Sequence, residues 1–175
     1  MYTRIITTLL VAGTMAFAQT PKNHHRAPAT GDQKFASEAA IGGMAEVEMG
    51  KLAVSKATNP DVKSFGQKMV DDHSKAGDEL KTVASKENIH LPGAMDSKHK
   101  ATIDRLGSLN GAEFDKAYVK EMMRDHEMDV QEFRREASSG TNKGVKDFAA
   151  KTLPTLQEHL RLIKDVDSKL SKGSE

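Results

Sequence analysis

From Phe35 almost to the end of the chain, apolar residues recur at three- and four-residue steps, while strand-like alternation and runs of aromatic or β-branched residues are scarce. That period fits one face of an α-helix and no half-buried strand, which restricts the chain to an all-α fold. Asn59-Pro60 divides a first helix, at about 34–57, from a second that runs to about Glu87. There Asn59 can cap, and the fixed φ of Pro60 suits a first helical turn. Asn88 and Pro92 end the second helix, and a shorter helical piece at about 95–106 sits in the long connection that follows. Asn110 with Glu113 forms a variant of the capping box at the start of the third long helix, and Gly140 closes that helix after Ser138-Ser139. The fourth runs from near Asn142 to near Leu170, and Pro154 inside it predicts a bend or a restart. Such a kink is either simply tolerated or re-aims His159 five residues on.

The first residues read as an address. Arg4 precedes an apolar run from Ile5 to Met15 that ends in Ala16-Phe17-Ala18, a small-x-small cleavage pattern, so residues 1–18 are expected to be a signal peptide. The run is too short to stay in a bilayer as a helix, which needs roughly 20 apolar residues, and nothing later approaches that length. A transmembrane helix is therefore not expected after cleavage, and the periplasm of a bacterium is the expected location. Residues 19–33 carry Pro, Gly and polar groups without periodicity and read as a flexible linker before a helical domain at 34–172. His24 and His25 in that linker form at most a weak metal-catching pair. With Lys+Arg 26 against Asp+Glu 25, the loss of Arg4 leaves the chain formally balanced. This argues against nucleic acid as a partner, because phosphate binding wants a concentrated basic face. The chain has no cysteine, so neither disulfides nor thiolate metal sites are available to it.

The stripes decide which polar residues face inward. On the second helix the seam runs Val62, Gly66, Met69, His73, Ala76, Leu80; on the third, Val119, Met122, His126, Val130, Phe133; on the fourth, Val145, Ala149, Leu156, His159, Ile163. A histidine stands in the middle of each. On the first helix the inward polar residue is Glu46, within Phe35, Ala39, Gly42, Met49 and Ala53, while Glu48 falls toward the polar side. Counted along the helices at about 1.5 Å per residue, Glu46 and His73 are level, and so are His73 and His126 if the crossover returns the chain at the same level. His126 and His159 differ by about one turn.

One carboxylate and three imidazoles from four helices make a sensible shell for a single divalent ion such as Zn²⁺, Fe²⁺, Mn²⁺ or Cu²⁺. Asp72, Asp125, Asp129 and Glu158 flank the histidines and are candidates to accept their outer ring N–H groups, or are solvated carboxylates at the helix boundary. Met69 and Met122, one turn before two of the histidines, are core residues or soft copper ligands. His90 and His99 fall in the connection and are expected to be exposed. A metal-free reading stands beside this one. The histidines would then be packed core residues, Glu46 would accept hydrogen bonds from two of them, and acid would charge them and loosen the bundle. An enzyme, specifically a metal-dependent oxidoreductase, has less to support it. There is no Gly-rich phosphate loop and no Gly-x-Ser-x-Gly nucleophile elbow.

The segments GGMAEVEMGKLAVSKATNPDVKSFGQKMVDDHSKAGDEL, DHEMDVQEF and AAKTLPTLQEHL, in that order, resemble a widespread family of exported bacterial ferritin-like four-helix proteins. Its members are described as domains of unknown function or as outer-membrane proteins. The resemblance covers about Phe35 to Lys169. It implies a ferritin-like four-helix bundle with one long crossover, in agreement with the connection that carries the short extra helix; the expected role, a metal-binding or stress-related bundle in the periplasm or at the outer membrane, rests instead on the inward histidines and the leader. The resemblance implies no established activity. In one respect the chain departs from di-iron relatives, which carry a Glu-x-x-His pair on each of two helices. The residues three before His73, His126 and His159 are Val70, Met123 and Leu156. A single ion therefore fits these residues better than an iron pair.

Overall fold

The computed structural model describes residues 30–172. The expected signal peptide and residues 19–29 of the expected linker, with His24 and His25, lie outside them. Five helices follow one another: α1 (Thr30–Lys56), α2 (Pro60–Glu87), α3 (Ser97–Ser108), α4 (Gly111–Ser139) and α5 (Lys143–Lys172). The four long ones form the predicted all-α bundle, and α3 is the short extra helix of the crossover. None of the helices among the described residues is long and apolar enough to cross a membrane.

The boundaries follow local chemistry. Asn59 Oδ1 accepts from the Asp61 and Val62 amides, with Pro60 in the first turn, and Asn88 ends α2 in the left-handed conformation at φ 56°. Gly140 closes α4, and its amide donates to the Glu136 carbonyl. Three expectations need correction. The first helix begins at Thr30 rather than Lys34, because Asp32 is buried and tied to the turn between α4 and α5. Asn110 makes no side-chain bond to its own helix and instead accepts from Lys56 Nζ at 2.9 Å. Pro154 neither ends nor restarts α5, which is continuous from Lys143 to Lys172.

α1 packs on α2, α4 on α5, α2 on α5 and α1 on α4, with α3 lying against α1 and α4. The two hairpins repeat each other. Thr58-Asn59-x-x-Val62-Lys63-x-Phe65 recurs 83 positions later as Thr141-Asn142-x-x-Val145-Lys146-x-Phe148. The ends of α1 and α4 and the starts of α2 and α5 keep the same offset. Contacts at the two ends are exchanged in the manner of a two-fold axis. The Asp32 carboxylate, from α1, accepts from the Thr141 amide, the Thr141 hydroxyl and the Asn142 amide at 2.9, 2.6 and 3.1 Å. Asp115, 83 positions after Asp32, does the same from α4 for Thr58 and Asn59. Each aspartate thereby satisfies turn amides that the helices leave orphaned.

These ties show where the crossover goes. Asp115, near the start of α4, touches the α1–α2 turn, so the crossover carries the chain back along the bundle and α2 and α4 run parallel. The assumption that it returns at the same level is thus corrected. His73 and His126 still match, because His73 lies 13 residues past Pro60 and His126 lies 15 past Gly111, a difference of about 3 Å.

The core falls into two apolar clusters, one around Met49, Phe65, Met69, Tyr118, Met122 and Ile163, the other around Phe35, Leu80, Phe133, Phe148 and Leu156. The polar residues of the centre lie between them. At the α1–α2 crossing, Gly50 and Gly66 let the backbones touch. A Cβ on Gly50 would stand 2.7 Å from the Gly66 carbonyl oxygen, and one on Gly66 would stand 2.5 Å from Ala53 Cβ.

Candidate metal centre

Glu46, His73, His126 and His159 come from four different helices, and all are buried, at 3%, 7%, 0% and 1% exposure. All four converge on one point, with ring centroids 5.2 to 5.6 Å apart among the histidines. The one-turn mismatch between His126 and His159 closes through side-chain direction. Helical side chains lean toward their own N-terminus, and α4 and α5 are antiparallel, so the two rings lean toward each other. Phe65 stands edge-on to both rings at 6.1 and 6.3 Å and seals the site on one side. Met69 and Met122 are fully buried in the adjoining core cluster.

The outer nitrogens of two rings are fixed by groups that only accept. His126 Nδ1 donates to the Met122 carbonyl at 2.9 Å, and His159 Nε2 donates to Asp72 Oδ2 at 2.7 Å. Burial raises Asp72, but hydrogen bonds from His159 and Lys68 outweigh it and hold this carboxyl below its ordinary range, as a carboxylate. Burial, reinforced by the neighbouring imidazoles, pushes His126 down to about 3, and burial pushes His159 down to about 4. Both rings are therefore neutral near pH 7. Their remaining nitrogens, His126 Nε2 and His159 Nδ1, face each other at 3.3 Å with a lone pair on each. The spacing suits two nitrogens that share an ion, since a tetrahedral site with bonds of about 2.0–2.1 Å sets its ligand atoms about 3.4 Å apart. One nitrogen from each of the three histidines can be chosen so that all lie within 4.8 Å of one another.

His73 Nδ1 is 2.9 Å from Glu46 Oε2, and its Nε2 is buried without a partner. Glu46 Oε1, also without a partner, is 3.6 Å from His126 Nε2. The second carboxyl of the centre is Asp129, which sequence reasoning placed only among the flanking residues. It hydrogen-bonds to Glu46 side chain to side chain. Burial, then the charge of Asp125, pushes Glu46 up to about 8, and burial with the Glu46 charge lifts Asp129 well above the carboxylate range. Acids are shifted up and imidazoles down, the signs expected where burial penalises the charged form of every member. Two sequence signals point to Asp129. It stands three residues after His126, on the same helical face, and it occupies the same repeat position as Glu46, 83 residues on.

Of the other flanking carboxylates, Asp72 takes the predicted place behind His159. Asp125 instead accepts from Arg124, and Glu158 is exposed and bound by Arg161. His99 lies away from the centre and pairs with Asp96 at 2.8 Å.

The architecture is similar to solved structures of unassigned function. A DUF305 fragment from Deinococcus radiodurans superposes with a TM-score of 0.71 at 11% identity, covering 84% of this chain and 99% of that one. A DUF305 protein from Streptomyces coelicolor that has been assigned as secreted superposes with a TM-score of 0.68 at 16% identity, covering 81% and 92%. At such identities the likeness is one of fold. No curated protein matches the chain. The family model that does match spans residues 17–166, and the chain belongs to the family it defines, the Domain of unknown function (DUF4142).

Proposed function

We propose that this protein is an exported, ferritin-like helical bundle that holds a single divalent metal ion, Zn²⁺, Fe²⁺, Mn²⁺ or Cu²⁺, in its core. Glu46, His73, His126 and His159 are the ligands, and the role is metal handling or stress response in the cell envelope. The observation that carries this reading is the 3.3 Å approach of His126 Nε2 to His159 Nδ1 while each ring donates its only N–H elsewhere. Two facing lone pairs repel, and a cation between them turns that repulsion into two bonds. Asp72 and the Met122 carbonyl hold the rings in the tautomers a metal needs, the usual task of groups behind histidine ligands. Export is supported by the Arg4 to Ala18 pattern and by the secreted assignment of the Streptomyces coelicolor neighbour.

The metal-free alternative also has an observation in its favour, since Glu46–His73 and Asp72–His159 pair without any ion. Thermal melting separates the two. Protein without a histidine tag is chelated and then titrated with each ion. A ligand specific to the folded state adds RT ln(1 + [L]/Kd), about 2.7 kcal/mol at a hundred times Kd. A rise in melting temperature with one of the ions is expected, and no shift with any of them well above micromolar concentration would remove the metal reading.

A further inference from the structure

The repeat that pairs Glu46 with Asp129 also gives each histidine a counterpart. Moved by 83 positions, His73 corresponds to Leu156, His126 to Gly43 and His159 to Ala76. The second set, Asp129, Leu156, Gly43 and Ala76, does not form another polar centre. All four of its members line one cavity of about 480 Å³ that reaches Glu46 and His73 at its floor. The carboxyl pair thus stands between the histidine cluster and an apolar chamber, and His73 belongs to both.

The chamber is kept open by missing side chains. Gly42 and Gly43 lie within α1 and Gly77 within α2, where glycine weakens a helix, and a Cβ on any of them would meet nothing within 4 Å. Its walls are apolar, from Leu80, Leu91, Met95, Phe133 and Phe148. Its size falls within the range of small-molecule sites, which combine apolar walls with a few convergent polar groups. The polar groups at the floor are the two carboxyls, Glu46 and Asp129, beside the His73 ring. Of the other charged residues of the lining, Asp78 pairs with Lys81 at 2.9 Å and Glu48 with Lys51 at 2.7 Å, so neither sign is left unpaired there. An anionic head would find no unpaired cation there, whereas a cationic donor would meet the carboxyls.

We propose that this chamber binds a small amphipathic primary amine, its ammonium group on Glu46 and Asp129 and its hydrocarbon body against the apolar walls. The site needs no metal, so it is tested on the full chain with chelator present, which separates its failure from that of the metal reading. The probes are n-octylammonium, 1-octanol and octanoate, compared by titration calorimetry. Octylammonium is expected to bind saturably with a stoichiometry of one and at least about tenfold more tightly than octanol, with octanoate weaker still. Gly43→Leu, which fills the chamber from a helical position, should lower the affinity at least about tenfold while the melting temperature holds or rises. Asp129→Asn should bring octylammonium down to the affinity of octanol. Equal binding of all three probes, no saturable octylammonium binding, or full affinity in a folded Gly43→Leu protein would each overturn the proposal.

Discussion

Glu46 and Asp129 occupy equivalent positions of two repeated hairpins and hydrogen-bond to each other in the middle of the bundle, between two apolar clusters. The pair stands between the histidine cluster and the apolar chamber, with His73 reached from both, and most of what can be tested concerns how the two carboxyls and the three rings respond to charge.

Asp72 holds His159 in the tautomer that presents Nδ1 to the centre. Asp72→Ala should therefore weaken ion binding about 10- to 100-fold, the range found when a group behind a histidine ligand is removed. Competition against a chromophoric chelator reads this directly. Glu158→Ala, on the same side of α5 in sequence but exposed and bound to Arg161, should leave affinity unchanged. Equal losses in the two variants would contradict the assignment.

The pH dependence of the metal-free protein has two opposing parts. The histidines are neutral when folded and gain protons when unfolded below about pH 6.5, so they make stability fall as the medium becomes more acidic, down to the folded values of about 3 to 4. Glu46 and Glu136 are raised to about 8 and about 7 and hold protons that the unfolded chain has lost above about pH 4.5. They make stability fall as pH rises toward those values. Below neutrality the two trends offset each other, and from about pH 6.5 to 8 the acids act alone. The melting temperature of the chelated protein should decline over that upper interval, and Glu46→Gln should flatten the decline. Ion-dependent stabilisation should run the other way and grow with pH, because binding displaces protons from the carboxyls.

Asp32 and Asp115 make matching ties at opposite ends of the molecule. Replacing either by alanine leaves turn amides and a threonine hydroxyl without their charged acceptor and should cost about 2 kcal/mol, measured by urea unfolding. The sites share no partner, so the double variant should lose close to the sum.

The glycines of α1 and α2 separate into two kinds. Gly66→Val drives a side chain into Ala53 and the Gly50 carbonyl and should destabilise by about 1–3 kcal/mol or more, whereas Gly42→Ala faces open space and should stabilise by roughly 0.5–1 kcal/mol. Chemical denaturation of the two variants distinguishes a forced helix contact from a vacant wall.

Much of this was legible in the residues alone. The helical period, the Asn59-Pro60 break and the Gly140 stop are local signals, and they placed four long helices and the short crossover helix within a few residues of where they lie. The inward histidines and Glu46 were equally legible, because a heptad-like stripe fixes which face a side chain occupies. The repeat was also present, in the two Thr-Asn-x-x-Val-Lys-x-Phe segments, yet its meaning depended on contacts between them. A stripe gives no depth along a neighbouring helix and no partner across the core. Those depend on helix direction, on side-chain lean and on how closely the backbones approach at Gly50 and Gly66. For that reason Asp129 could be placed beside Glu46, the ring tautomers read from their acceptors and the apolar chamber found only once the helices were packed. Periodicity within each helix determined the parts and the faces they bury; the packing of one helix on another decided which buried groups meet.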